Sequence, residues 1–181
     1  MLSRGYWDKV AAFHGHKCPG LAIGFKACEG AIAELGLRAD DLPTIDEDIV
    51  CVTENDACGV DAVQSLLGCT YGKGNLVPRL RGKMAFSFFS RDTGRSVRLC
   101  LKPGCGDGLE RAEFQEHLLT TPYDELFDIA VPPYGLPERA RLFGSQPCAL
   151  CHEKTGEYAL RIQDGQAVCL DCYDAYGREG F

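Results

Sequence analysis

The stretch HGHKCPGLAIGFKACEGAIAELG, residues 14–36, decides most of the expected architecture. Pro19 suits the first turn of a helix, because its missing N–H has no partner there in any case. Apolar side chains then recur at helical spacing from Leu21 to Leu35, and Gly36 is a typical helix end. Small residues crowd this helix, so we expect another backbone, such as that of a second subunit, to approach it closely.

Helical and extended patterns alternate on both sides of this central helix. We expect helices over residues 4–13, 60–67, 109–119 and 122–129, and strands over residues 49–53, 83–90 and 96–102. The turn RDTGR joins the last two strands as a hairpin. Three prolines in residues 131–138 predict a linker, and the core boundary falls near residue 140.

Composition narrows the class of protein. The chain has 181 residues, of which 45% are hydrophobic, so it is long and apolar enough for a folded core. No apolar run approaches the length of a membrane span, and the N-terminus lacks the apolar region of a secretory signal. We therefore expect a cytoplasmic protein with no membrane association.

Charge argues against one class of partner. The net charge is −7, from 26 acidic and 19 basic residues, which makes general nucleic-acid binding unlikely without excluding a local basic face. Residues 40–61 carry acids only, whereas residues 73–102 carry eight bases and one acid. These stretches fit either two solvated faces or an anionic ligand near the basic one.

Cysteine usage is the most informative part of the composition. The chain has 11 cysteines, an odd number, with no export signal. A secreted disulfide framework is therefore disfavoured, and thiols that serve metals or redox chemistry are favoured. Cys28, Cys51 and Cys100 lie in apolar contexts that are typical of core positions.

The C-terminal cysteines have the spacing of a zinc site. Two Cys-x2-Cys pairs, separated by 17 residues, would surround zinc with four thiolates and leave no open position, as in a structural site. The pairs are Cys148 with Cys151 and Cys169 with Cys172. A hairpin with a turn at Asp164 and Gly165, then a helix from Asp171, would complete a treble-clef finger. Disulfides or a redox Cys-x-x-Cys are the alternatives.

We therefore expect an α+β fold with two domains. A core of helices and antiparallel sheet would span residues 1–140, and a small treble-clef-like zinc-finger domain would span residues 141–181. The finger carries four bases and six acids, which favours protein contact or dimer locking over a grip on phosphates.

A second group of soft ligands stands at the start of the central helix. His14, His16 and Cys18 alternate, so an extended backbone would place them on one face. A thiolate at a helix N-terminus is also favoured by the helix dipole. The alternative is a pair of capping histidines beside a buried cysteine.

The stretch ENDACGVDAVQ, residues 54–64, repeats this arrangement. Cys58 precedes a helix, and Asp61 and Gln64 lie three residues apart on one face of it. The glycines of GCTYGKGN, residues 68–75, could present backbone N–H groups to an anion beside Lys73, although the Walker spacing is absent.

Together, FHGHKCPGLAIGFKA and ENDACGVDAVQSLLGCTYGKGNL closely resemble the family named after the E-subunit of formylmethanofuran dehydrogenase. The resemblance covers most of residues 10–100. It implies an α+β core, an intertwined homodimer and a prokaryotic cytoplasmic protein, in some members with an appended treble-clef finger. The name links the family to a molybdenum or tungsten enzyme of methanogenesis.

The family motif falls on residues of both stretches. The matching positions are His14, His16, Cys18, Pro19, Gly20, Cys58, Asp61, Gln64, Gly68, Cys69, Thr70, Gly72, Lys73 and Asn75. From ligand chemistry we predict a second transition metal, of unknown identity, at His16, Cys18 and Cys58, with His14 in reserve. Three nitrogen and sulfur ligands would leave an open fourth position.

Three functions are compatible with these patterns. The first is a metal-binding accessory or maturation subunit of a molybdenum- or tungsten-dependent oxidoreductase. The second is a dimeric metal- or ligand-sensing regulatory protein whose finger contacts a partner. The third is a freestanding enzyme with Cys18 or Cys58 as catalytic nucleophile. Because no nucleotide-binding or serine-hydrolase motif is present, an accessory subunit is favoured over a catalyst.

Overall fold

The computed structural model describes residues 2–175 and residue 177, with the backbone alone at residue 39. The chain divides into two compact units, residues 1–140 and 141–181. The first unit mixes helices with one sheet, which confirms the α+β prediction. Its helices are α1 (Arg4–His14), α2 (Pro19–Leu35), α3 (Gly59–Leu67), α4 (Arg111–Thr120) and α5 (Tyr123–Leu126). Its strands are β1 (Ile49–Thr53), β2 (Leu76–Pro78), β3 (Ala85–Ser90), β4 (Ser96–Leu101) and β5 (Phe127–Ala130).

The five strands of the first unit form one sheet in the order β2-β1-β3-β4-β5. β1 pairs in parallel with β2, and the other neighbours are antiparallel. The short edge strand β2 was not expected from the sequence. It pairs Cys51 with Leu76, so it ties the segment after α3 to the centre of the sheet.

Apolar side chains cover both faces of the sheet. Ile49 and Cys51 of β1 face the main core with the helices, whereas Val50 and Val52 face a smaller cluster on the other side. Alternate side chains of a strand point to opposite faces, so a strand buried on both faces is apolar at every position. Tyr134, from the proline-rich segment, packs on this smaller cluster.

α2 is the central helix of the unit and packs against α3, α4 and the sheet. Cys18 is its N-cap and Gly36 its left-handed C-cap, which confirms the predicted bounds. The helix also buries an ion pair between Lys26 and Glu29, which the sequence pattern did not indicate.

Two segments differ from the sequence prediction. The prediction of a helix over residues 122–129 is wrong in its second half, because residues 127–130 form β5 and pair with β4. Residues 131–138 lack regular structure, as a linker would, but Tyr134 is fastened to the sheet. Its hydroxyl lies 2.8 Å from Ser87 Oγ and 3.4 Å from Glu54 Oε1.

The second unit consists of two small antiparallel hairpins. They are formed by β6 (Ser145–Pro147) with β7 (Lys154–Gly156), and by β8 (Leu160–Gln163) with β9 (Gln166–Cys169). Across the described part of both units, none of the helices has the length and apolar character that a bilayer crossing requires.

Candidate metal centre

Three helix ends of the first unit meet at one point. His14 is the last residue of α1, Cys18 is the N-cap of α2, and Cys58 is the N-cap of α3. The close crossing of α2 and α3 brings their N-termini together. A Cβ on Gly24 would lie 2.1 Å from the Gly59 carbonyl oxygen, so glycine is required at that contact.

The side chains at this point form a compact group of metal-ligand type. The imidazole of His14 and the thiols of Cys18 and Cys58 have ligand atoms that all lie within 4.8 Å of one another. His14 Nε2 lies 4.0 Å from Cys18 Sγ. Cys18 is buried, whereas His14 and Cys58 are half-buried. One ion could therefore contact all three and remain accessible on one side.

A carboxylate orients the histidine. His14 Nδ1 lies 2.7 Å from Asp61 Oδ2, and Gln64 Nε2 donates to Asp61 Oδ1 at 3.1 Å. When Nδ1–H donates to the carboxylate, Nε2 keeps its lone pair for a metal. This carboxylate–histidine arrangement is common around metal ligands in proteins. The predicted pairing of Asp61 with Gln64 on one helix face is confirmed.

The two thiols have different environments. Cys18 Sγ accepts a hydrogen bond from the backbone N–H of Leu21 at 3.3 Å, at the N-terminus of α2. The pKa of Cys58 is raised, chiefly by burial and then by the neighbouring Cys18 thiol. A divalent cation between the two sulfurs would favour their thiolate forms, because metal binding displaces thiol protons.

His16 is placed apart from this group. It is exposed, and its ring centroid lies 4.4 Å from that of His14. The segment is not extended as expected, because α1 includes His14 and Gly15 takes a left-handed conformation with φ 94°. The structure thus groups His14 with the two cysteines, and a ligand role for His16 stays a prediction.

Other cysteines of the first unit lie outside the group. Cys28, Cys51 and Cys69 are buried in the main core, and burial raises the pKa of each. Cys105 is half-buried against the same core, and burial likewise raises its pKa. Cys100 is half-buried on β4. Among the described residues, the ligand group does not include any of these five thiols.

A cavity opens beside the group. It has a volume of about 490 Å³ and is lined by His14, Thr53, Asn55, Asp56, Ala57, Cys58, Val60, Asp61, Gln64, Tyr71, Leu76, Pro78 and Leu80. His14 and Cys58 therefore belong both to the ligand group and to the wall of the cavity. This gives the centre an open side of the size of a small-molecule site.

Most bases of the predicted basic stretch are engaged within the chain. Arg98 binds Glu54 through two hydrogen bonds, of 2.7 and 3.0 Å. Arg79 lies over the ring of Tyr134, 4.7 Å from its centroid. Lys73 contacts the carbonyl oxygens of residues 44 and 45 instead of a site in the glycine-rich turn. These contacts favour a structural role for the three bases.

The second unit holds the other ligand group. The thiols of Cys148, Cys151, Cys169 and Cys172 have sulfur atoms that all lie within 4.8 Å of one another. Cys148 Sγ accepts backbone N–H bonds from Leu150 and Cys169, and such bonds lower its pKa to about 6. The neighbouring thiols raise the pKa of Cys172 to about 12. These four cysteines can bind a metal such as zinc.

The fold around these thiols follows the predicted knuckle and hairpin. Cys148 and Cys151 lie in the loop between β6 and β7. Asp164 and Gly165 both have positive φ, as a tight turn between β8 and β9 requires. The expected helix from Asp171 is absent through residue 175, where the chain forms a turn and then an irregular segment. Tyr176 lies outside the described residues.

The core motif and fold also identify relatives. A family model described as "FmdE, Molybdenum formylmethanofuran dehydrogenase operon" matches residues 13–128, which contain His14, Cys18 and Cys58. The chain belongs to the FmdE family. The family is thus associated with a formylmethanofuran dehydrogenase operon, and the predicted resemblance is confirmed.

One curated relative and one solved structure extend this comparison. The chain is 29% identical over 198 residues to a "Probable S-adenosyl-L-methionine-binding protein" of Archaeoglobus fulgidus. That alignment covers 93% of this chain but only 52% of the relative, so the chain spans about half of its length. The fold is similar to that of a tungsten formylmethanofuran dehydrogenase FmdE-like protein from Syntrophus aciditrophicus. The TM-score is 0.63 at 24% identity, covering 93% of this chain and 90% of the other.

Proposed function

We propose that this FmdE-family chain is a metal-binding accessory or maturation protein of a molybdenum- or tungsten-dependent oxidoreductase related to formylmethanofuran dehydrogenase. The single observation that carries the proposal is the convergence of His14, Cys18 and Cys58 beside an open cavity. The family supports the association with the dehydrogenase.

The donor set fits an exchangeable transition-metal site. One imidazole and two thiols suit zinc and other borderline or soft metals, and three protein ligands leave a fourth position for an external group. His14 Nε2 and the two sulfurs would hold the ion, and Asp61 would keep the imidazole in the required orientation. A bound metal would supply Lewis acidity at the open position.

The finger supports the accessory role in a different way. We infer that Cys148, Cys151, Cys169 and Cys172 hold a structural zinc, because four thiolates complete a tetrahedron without an open position. The second unit would then present a rigid surface for contact with an oxidoreductase subunit. We also propose that the chain is a homodimer, an expectation that follows from the family resemblance.

Metal content per chain tests the centre. Elemental analysis of the purified full chain should find two metal ions in wild type and one in the Cys18→Ser/Cys58→Ser double variant. Cys105→Ser, which removes a half-buried thiol outside the ligand group, is the matched control and should retain both. One metal in wild type, with none lost in the double variant, would overturn the core assignment.

The partner is tested separately. Affinity purification of the tagged chain from its native host should recover a molybdenum- or tungsten-containing subunit, identified by mass spectrometry and elemental analysis. Recovery of the chain alone, under conditions in which both metal sites are filled, would contradict the accessory role. Light scattering on the same material should give twice the 19.8 kDa chain mass for a homodimer.

A sensing or interaction protein is the second candidate, and one observation favours it. The second unit exposes large apolar side chains, namely Leu142, Phe143, Leu150, Tyr158, Ile162, Leu170 and Tyr173. Such exposure is typical of surfaces that contact a partner protein. Recovery of a transcription or signalling component in place of an oxidoreductase would favour this candidate.

A further inference from the structure

We propose that the cavity beside His14 and Cys58 binds a small organic cation that carries an apolar ring. The proposal rests on the function proposed above, because it assigns a ligand class to the open side of that centre. The volume of about 490 Å³ is sufficient for a molecule of this size.

Apolar side chains form one wall and the mouth of the cavity. Tyr71 is 74% exposed and Leu80 is 51% exposed, although both are large and apolar in character. Pro78 continues this surface, and Val60 and Leu76 line it further in. A flat ring placed here would bury apolar area and could stack on the phenol ring, which supplies affinity without a charged partner.

The charge of the cavity selects a cation. Its lining includes the carboxyl groups of Asp56 and Asp61 but no lysine or arginine among the described residues. Asp61 already contacts His14 with one oxygen and Gln64 with the other. Asp56 is exposed, and within the described residues its side chain makes no hydrogen bond or ion pair. Its carboxylate is therefore available to an ammonium group on a ligand.

Nearby bases do not reverse this charge. Pro78 and Leu80 line the cavity, whereas Arg79 between them lies over the ring of Tyr134. The guanidinium of Arg81 donates to the carbonyl oxygen of Leu80. The alternation of side chains along this segment thus leaves apolar groups toward the cavity and the Arg79 guanidinium on Tyr134.

A matched pair of probes tests the charge selection. Tyramine and 4-hydroxyphenylacetate share a phenol ring but carry an ammonium and a carboxylate. Ligand-observed NMR titrations of the full chain should give tyramine a Kd about fivefold to tenfold lower, because one exposed ion pair is worth up to about that factor. The preference should weaken as salt is raised.

Two variants complete the test. Asp56→Asn should bring the two Kd values to within about twofold, whereas Asp46→Asn, an exposed acid outside the cavity, should keep the preference. Tyr71→Ala should weaken both probes together. Equal binding of the probes to wild type, or an unchanged preference in Asp56→Asn, would overturn the proposal.

The result separates this proposal from the metal function. NMR detects the probes whether or not a metal is bound, and metal content is measured on the same samples. Tyramine selectivity without a core metal would keep the cavity assignment and contradict the metal centre. A filled metal centre without selectivity would do the reverse.

Discussion

His14 and His16 are equivalent by spacing, and one hydrogen bond distinguishes them. Both precede Cys18 in HGHKC, and ligand chemistry alone favoured His16, with His14 in reserve. In the folded chain Asp61, which is 47 residues away in sequence, lies 2.7 Å from His14 Nδ1. This contact aims Nε2 toward the thiols, whereas His16 is exposed. No local pattern could reveal a partner on another helix.

Removal of the Asp61 carboxylate should therefore weaken the core centre. In Asp61→Asn we expect the zinc affinity of the core to fall about 10- to 100-fold, since orienting groups behind a ligand contribute that much. Competition with a chromophoric chelator, on protein whose finger is already loaded, measures it. Asp8→Asn, which breaks an exposed pair with Lys17, is the control. An equal loss in both variants would contradict the orienting role.

The buried ion pair of Glu54 and Arg98 makes a second prediction at this scale. Glu54 is 2% exposed, and Arg98→Met would leave its carboxylate without the guanidinium. We expect a loss of about 3 to 5 kcal/mol in the free energy of unfolding. Urea denaturation measures it, and Arg81→Met, an exposed arginine of the same chain segment, should change stability by less than about 0.5 kcal/mol.

The same pair predicts a pH dependence. The hydrogen bonds from Arg98 lower the pKa of Glu54 below its usual 4.5, which outweighs the opposing effect of burial. A lowered folded-state pKa stabilises the fold above the unfolded-state value, and this contribution is lost as pH falls through the folded-state value. The stability difference between wild type and Arg98→Met should thus be full at pH 7 and shrink below about pH 4.5. A difference that is independent of pH would contradict this assignment.

At the scale of elements, the contact between α2 and α3 is the most sensitive to a single methyl group. A Cβ at Gly24 would lie 2.1 Å from a backbone oxygen of Gly59, and backbone yields less readily than a flexible side chain. We expect Gly24→Ala to cost at least about 3 kcal/mol in the free energy of unfolding, and to reduce core metal binding because the ligand-bearing helix ends would separate.

A second helical glycine provides the matched control. In α1 a Cβ at Gly5 would meet only Ser3 Oγ, at 3.7 Å. Gly5→Ala should therefore be neutral or stabilise by up to about 1 kcal/mol, because alanine favours helix. Thermal unfolding and metal content of the two variants decide the matter. Similar behaviour of Gly24→Ala and Gly5→Ala would show that the crossing adapts.

Element prediction failed where pairing overrides local preference. Residues 127–130 read as helix with the preceding turn, yet they form β5 because β4 offers an unpaired edge. Residues 76–78 are too short to predict as a strand, and they exist as β2 through parallel pairing with β1. Tertiary context of this kind regularly overrides propensity.

At the scale of the whole molecule, the two units differ in how they are stabilised. The first unit has a large apolar core, whereas the second buries a cluster of Cys148, Val168 and Cys169, with Cys172 packed against it. So small a cluster cannot offset the chain entropy of some 40 residues. Bound metal must supply most of the folding free energy of the second unit.

Loss of one finger ligand should therefore unfold the second unit alone. In Cys151→Ser we expect the NMR amide dispersion of residues 141–175 to collapse, while the first unit keeps its spectrum and its thermal transition within about 2 °C. Cys105→Ser is the control and should preserve both units. A native second unit in Cys151→Ser at low free zinc would contradict metal-dependent folding.

The sequence by itself determined the two ligand motifs, the bounds of α1, α2 and β1, and the membership of the FmdE family. These depend on local properties, namely Cys-x2-Cys spacing, helical periodicity and the glycines that end helices. Only the tertiary structure decided that His14 joins Cys18 and Cys58, that Asp61 orients it, and that an acidic cavity adjoins them. These features arise where three helix ends meet, and contacts between distant segments leave no periodic trace in the chain.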